Sequence, residues 1–346
     1  MRYKLLGRSG LRVSELCLGT MTFGEDWGWG ASKKASRKIF DAFANAGGNT
    51  IDTSVNYTNG TAEEFVGDFT SADRDYWVIA TKYTLTRADQ TDPNQGGNSR
   101  KNMYHSVERS LTRLQTDYID ILYLHMWDYM TPVEEVMRTF DDLVRSGKVR
   151  YVAFSDTPAW VVAEANTLVE QRGWVRPIAL QVPYSLADRA VERAELPMAR
   201  RWDMTVMAWG LLEGGLLTGK YTSSNTEPKR EKIDELPERY QGLVTVLQLV
   251  ADEVGVSPAQ VAINWIRQSP QAQVIPILGA RTLNQFEDNL NVMNWSLTDE
   301  QMVQLSEAAT IKYGFPRDFL ENGARRIIFG KTFDLIDNHR GNPVRL

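Results

Sequence analysis

The chain has 346 residues, 42% of them hydrophobic and 24% charged, with a formal net charge of -5 and a mean hydropathy of -0.36. That length suits one elaborated α/β barrel, which needs about 250 residues before insertions, and the composition excludes disordered and fibrous classes. A negative balance with no basic block argues against nucleic acid or an anionic membrane as a partner.

The N-terminus, Met1-Arg2-Tyr3-Lys4, leads into a polar turn and not into an apolar leader. No apolar stretch approaches the ~18 residues of a membrane span, so a cytoplasmic protein is expected. Tyr3-Lys4-Leu5-Leu6, the turn Arg8-Ser9-Gly10 and Leu11-Arg12-Val13 predict a two-strand hairpin that closes a barrel floor. The single cysteine, Cys17, lies in the apolar run Leu16-Cys17-Leu18. It reads as a small buried hydrophobe; it can close no internal disulfide, and no metal site is expected.

From there a short β-branched apolar run followed by a helical segment recurs along the chain. The runs are 15–18, 50–52, 77–82, 119–124, 149–155, 178–181, 205–209 and 273–277. Continuous apolar strands such as Ile119 to Leu124 suit a parallel sheet buried on both faces, which needs crossover helices. The fold class is therefore α/β, and the expected architecture is a (β/α)8 TIM barrel with an N-terminal β-hairpin and additional C-terminal helices or tail, one domain over 1–346.

Helix starts carry a cap residue with Glu or Gln three positions on: Thr131 with Glu134, Ser257 with Gln260, Thr282 with Gln285, Thr298 with Gln301. Each predicts a capping box. The polar stretch 222–232 reads as a long loop, and the aromatic-bearing tail from Thr310 is expected to pack over one barrel face. Two glycine-rich segments are decoys. Gly19 to Gly24 lacks the dinucleotide fingerprint of a doubly wound sheet, and Gly214 to Tyr221 ends in Tyr where a P-loop needs Ser or Thr.

In such a barrel the active site forms at the C-terminal ends of the strands. Asp52 ends the second strand, Tyr57 follows in its loop, Lys82 ends the third and His125 follows the fourth. An ammonium beside a phenol stabilises the phenolate and lowers its pKa, Asp52 can hold Lys82 charged, and the tyrosine becomes a usable general acid. His125 is expected to hydrogen-bond a substrate carbonyl oxygen and fix its orientation.

These residues carry a resemblance to the aldo-keto reductase family. Asp52-Thr53-Ser54-Val55-Asn56-Tyr57 resembles the family's Asp-Thr-Ala-x-x-Tyr segment, Thr81-Lys82 its lysine strand and Leu124-His125 its histidine strand. Similarity continues through 181–186, 217–221 and 275–289 and covers residues 1 to 310, including the branch with potassium-channel β-subunit-like reductases.

The resemblance implies a catalytic tetrad of Asp52, Tyr57, Lys82 and His125 and an extended NADP as cofactor. Ser155, Asp156 and Gln181 would face the nicotinamide carboxamide, with Trp209 stacked on the ring. Gly210, Leu212, Gly215 and Lys220 would line the pyrophosphate. Gly279, Arg281, Gln285, Asp288 and Asn289 would hold the adenosine end. Two positions depart from the family: Asp156 stands where Asn is frequent, and Gly210-Leu211 where Ser-Pro is common.

The adenosine end also makes sense from the residues alone. A loop opening a helix at Thr282 presents free N–H groups to phosphate, and Arg281 can pair with a 2′-phosphate, which favours NADP over NAD. Gln285 brings no charge to it.

Phe23, Trp27 and Trp29 after the first strand, with Met126, Trp127 and Tyr129 after the fourth, are expected to wall an apolar cleft for a neutral, apolar or aromatic aldehyde or ketone. The expected function is reversible NADPH-dependent reduction of an aldehyde or ketone. The alternative is an NADP(H)-binding regulatory or redox-sensing subunit with little turnover. The oligomeric state is left open.

Overall fold

The apolar runs become eight parallel strands that close on themselves. The computed structural model describes residues 1–87, 89–220, 237–337 and 339; the predicted loop 222–232 lies outside them. The strands are β3 (Cys17–Gly19), β4 (Thr50–Asp52), β5 (Val78–Tyr83), β6 (Ile119–Leu124), β7 (Val149–Ser155), β8 (Pro177–Pro183), β9 (Thr205–Trp209) and β10 (Val274–Leu278). They pair in sequence order, and β10 returns to β3 with Leu278 beside Leu18. The (β/α)8 barrel read from the sequence is therefore the fold, with strand ends within about two residues of those expected.

Crossover helices cover the outer face. In α4 (Val133–Arg145) the buried Val133, Val136, Met137, Phe140 and Leu143 follow the spacing of one helical stripe, so its packing face is set by the sequence period. Leu122 and Phe154, pointing outward from their strands, join this sheet-to-helix core with Phe140.

A second apolar cluster fills the inside of the barrel, where Cys17, Val78, Ala80, Ile121, Tyr123 and Met207 meet. The predicted hairpin closes its floor. β1 (Tyr3–Leu5) and β2 (Arg12–Ser14) pair antiparallel, and Leu6 and Val13 join the interior cluster. The Gly7 N–H donates to Thr205 Oγ1 at the start of β9, and Lys4 Nζ to the Val274 carbonyl at the start of β10. A Cβ on Gly7, at φ +51°, would lie 2.1 Å from the Ile178 carbonyl oxygen, so this close approach requires glycine.

Of the four expected capping boxes, only Thr298–Gln301 forms in full. Ser257 and Thr282 cap their helices, but the Gln260 side chain donates to Asp288, and Gln285 Oε1 accepts from the Arg281 N–H. Thr131 caps nothing: its hydroxyl donates to Asp128, and Pro132 takes the cap position. In a capping box the glutamine oxygen accepts from the cap residue's own N–H; here those oxygens are taken elsewhere, Gln260 Oε1 by the Trp295 indole N–H and Gln285 Oε1 by the Arg281 N–H.

The tail departs from expectation. Tyr313 and Arg317 anchor it to Glu192, but Phe315 between them and Ile327 and Leu335 beyond are exposed. Among the described residues it is tied to the short turn Ala190–Glu192, and its large apolar side chains are exposed. Among the described residues no single helix is long and apolar enough to cross a membrane.

Candidate active site

The two-residue period of a strand aims the polar residues. Val78 and Ala80 of β5 lie in the interior cluster, so Lys82, two residues on, points to the same side. The same alternation carries Ala153 to Ser155 on β7, Ala179 to Gln181 on β8 and Met207 to Trp209 on β9. It also carries Ile121 and Tyr123 of β6 to His125 just past the strand end. Asp52 ends β4 with Ile51 on the outer face. Polar side chains thus replace the apolar interior at the C-terminal rim.

Lys82 is fully buried, and its ammonium makes three hydrogen bonds. It donates to Asp52 Oδ2 at 2.6 Å, to the Thr53 carbonyl at 2.9 Å and to the Tyr57 hydroxyl at 3.0 Å. An ammonium has three donors, so all are used. Burial opposes the charge on Lys82, yet Asp52 and Tyr57 together outweigh it and hold the amine above its ordinary value. Asp52 Oδ1 accepts from Gln181 Nε2 at 2.7 Å, which completes the carboxylate's bonding.

Tyr57 sits on the short turn after β4 (Tyr57–Gly60). The turn is held by Thr58 Oγ1 donating to the Phe23 carbonyl and by Arg113 donating to the Val55 carbonyl. Burial pushes the Tyr57 phenol above its ordinary value, and the Lys82 charge offsets this only in part. That reverses the expectation of a lowered phenol: removing solvent from a phenolate outweighs one nearby cation already engaged by a carboxylate.

His125 stands edge-on to Tyr57, with ring centroids 5.9 Å apart at 80°, and its Nδ1 lies 3.1 Å from Ser54 Oγ. Burial, then the Lys82 charge, holds the imidazole well below its usual pKa, so the ring is neutral.

The tetrad opens into a cleft of about 980 Å³ that runs across the rim. Ser155, Asp156, Gln181 and Trp209 line it, as do Gly210, Leu212, Gly215 and Lys220. Gly279, Arg281, Gln285, Asp288 and Asn289 complete its lining on the side of β10 and the helix after it. Ser155 Oγ is buried without a hydrogen-bond partner. Asp156 accepts from Trp209 Nε1 at 3.2 Å, and burial pushes its carboxyl up to about 6. Asp288 is engaged by Ser257 and Gln260, whereas among the described residues no carboxylate pairs with Arg281.

Of the six side chains expected to wall the substrate end, Trp27 and Trp29 do so, with ring centroids 5.7 Å apart. Phe23 and Trp127 are buried in the core, and Met126 and Tyr129 are exposed outside the cleft. Phe23 is drawn inward against Phe69, 6.4 Å away. Met21, Leu85 and Asn56 also line the cleft and were not anticipated. Ser54, standing where the resembled segment has Ala, was the one visible signal at its position.

The chain matches the family model described as Aldo/keto reductase family over residues 15–310. It belongs to the aldo/keto reductase family and is an oxidoreductase. It is 36% identical over 324 residues to norsolorinic acid reductase stcV of Emericella nidulans, covering 90% of this chain and 82% of that one. It is 37% identical over 333 residues to an aryl-alcohol dehydrogenase [NADP(+)] of Phanerodontia chrysosporium, covering 89% and 85%. A similar match, 35% over 332 residues covering 93% and 86%, joins it to aryl-alcohol dehydrogenase GME11368 of Pestalotiopsis microspora.

Proposed function

We propose that the chain catalyses reversible, NADPH-dependent reduction of a neutral, predominantly aromatic aldehyde or ketone to the alcohol, with Tyr57 as proton donor. One observation carries this reading. Tyr57 Oη accepts from an ammonium whose other two donors are committed, so its own hydrogen is left for an acceptor in the cleft. A carbonyl oxygen that gains negative charge is such an acceptor, and even a raised phenol is a stronger acid than the alcohol being formed.

Two features fit a dinucleotide phosphate. Ser155 Oγ is a buried hydroxyl without a partner, suited to a carboxamide. Arg281, with no carboxylate partner among the described residues, adjoins the start of α9 (Leu283–Leu290), where free N–H groups and the helix dipole favour a phosphate. Ser155, Asp156, Gln181 and Trp209 would hold the nicotinamide, Gly210, Leu212, Gly215 and Lys220 the pyrophosphate, and Gly279, Arg281, Gln285, Asp288 and Asn289 the adenosine phosphate. NADPH, when bound, supplies the hydride. One relative's name specifies NADP(+), and the names of the relatives point to aryl alcohols and norsolorinic acid.

Within the chain, Asp52 keeps Lys82 charged, Lys82 orients the phenol oxygen, and the apolar walls of Trp27, Trp29 and Leu85 exclude water from the substrate end. Cytoplasmic residence and a single domain over 1–346 belong to the same proposal. The test is NADPH consumption by the purified chain against a panel of aromatic and aliphatic carbonyls. Turnover of aryl aldehydes supports the reading; NADPH binding with no turnover across the panel replaces it with the NADP(H)-binding subunit.

A further inference from the structure

The turn that carries Tyr57 has a backbone its own residues do not favour. Thr58 at φ +43° and Asn59 at φ +58° both lie in the left-handed region, and Gly60 follows at φ +109°. Glycine alone visits that region freely, so two successive residues with side chains are held there by their surroundings. Arg113, on α3 (Arg100–Leu114), supplies part of that hold. Its Nη1 donates to the Val55 carbonyl at 2.8 Å, two residues before Tyr57, and its Nη2 to the Asn59 carbonyl at 3.5 Å, two residues after. The guanidinium lies so close to the turn that a Cβ on Gly60 would come within 2.2 Å of its Cζ.

Arg113 is aimed by Glu63 of α2 (Thr61–Thr70). This carboxylate is fully buried. Its Oε2 accepts from the same Nη1 at 3.2 Å, and its Oε1 from the Thr81 hydroxyl at 2.6 Å. Thr81 directly precedes Lys82 on β5. A chain of polar contacts therefore runs from the strand that holds the Lys82 ammonium, through Glu63 and Arg113, to the backbone on both sides of Tyr57.

We infer that Arg113, aimed by Glu63, is a positioning residue: it holds the 57–60 turn in its strained form and so keeps the Tyr57 phenol against Lys82. The inference rests on the proposed role of Tyr57 as proton donor. Among the described residues, those lining the cleft include neither Arg113 nor Glu63, so the pair acts through the turn and not on a bound molecule.

Arg113→Met keeps the apolar stem and removes the fork; where it fails to fold, adding Glu63→Gln removes the carboxylate it strands. The variant should lose about 10- to 100-fold in kcat, the cost of a catalytic group displaced by about 1 Å, with NADPH affinity within about 3-fold of the parent. On a Tyr57→Phe background the same change should lower the residual turnover no further, because nothing is left for it to act through. Arg74→Met breaks a pair with Asp120 at the floor end of β5 and controls for lost stability; its kcat should stay within about 2-fold. A loss that persists in full on the Tyr57→Phe background, or one that Arg74→Met matches, overturns the inference.

A crystal structure of the Arg113 variant needs no turnover. Thr58 and Asn59 should leave the left-handed region and the Tyr57 hydroxyl should draw away from Lys82 by about 1 Å or more; an unmoved phenol overturns the inference. Full turnover by Tyr57→Phe sinks the proposed donor and this inference with it. Full turnover by the Arg113 variant beside an inactive Tyr57→Phe protein sinks the inference alone.

Discussion

The Lys82 ammonium donates to the Tyr57 hydroxyl at 3.0 Å from a fully buried position, which fixes the phenol oxygen as an acceptor and turns its hydrogen outward. Under the proposed chemistry, Tyr57→Phe keeps the ring and removes the hydrogen. We expect kcat to fall by at least ~10²-fold, the general-acid contribution, with NADPH affinity nearly unchanged. Turnover and a fluorescence titration of NADPH measure the two separately, and unaltered turnover would remove Tyr57 from the chemistry.

The same ammonium balances a carboxylate that is only 5% exposed in its side chain. Lys82→Met therefore leaves Asp52 buried without its cation. Breaking a buried pair from one side destabilises by about 3–5 kcal/mol. Thermal unfolding of Lys82→Met should show a large drop, and adding Asp52→Asn should recover part of it, because the second change removes the stranded charge. A double variant as unstable as the single one would show that lost packing, and not the charge, dominates.

The barrel was legible because its signals are periodic and local. Strands such as Ile119–Leu124 are apolar apart from Asp120, and the two-residue alternation that buries Ala153 and Ala179 also aims Ser155 and Gln181. The meeting of Asp52, Tyr57, Lys82 and His125 was legible because each stands at or just after a strand end. What escaped depends on competition between neighbours. The Thr131 hydroxyl had two destinations, and Asp128 won. Phe23 and Trp127 had a core and a cleft within reach, and the core took both. The direction of the Tyr57 shift needed the degree of burial, which no spacing encodes.

Asp156 gives the rim a pH signature. Burial raises its carboxyl from 3.8 to about 6, so between pH ~4 and ~6 the folded chain holds a proton that the unfolded chain has released. Stability from this group is complete below pH ~4 and is lost as pH rises through ~6. Asp156→Asn cannot ionise and lacks the decline. The difference in unfolding free energy between the two proteins should grow by about 1–2 kcal/mol across that window, below the full value of a two-unit shift because the residue is partly exposed. Parallel stability curves from pH 4 to 7 would place the titration elsewhere.

Arg281 tests which dinucleotide the cleft prefers. Among the described residues no carboxylate neutralises it, and it precedes the Thr282 cap of α9, so guanidinium and helix N-terminus converge on one region. A 2′-phosphate there would gain charge-assisted hydrogen bonds of about 1.5–3 kcal/mol. Arg281→Ala should weaken NADPH binding about 10- to 100-fold and leave NADH binding within about 2-fold, since NADH has only a neutral 2′-hydroxyl where NADPH has the phosphate. Calorimetric titration of both dinucleotides against both proteins gives the comparison. Equal losses for the two would mean that Arg281 supports the loop at 279–282 and does not read the phosphate.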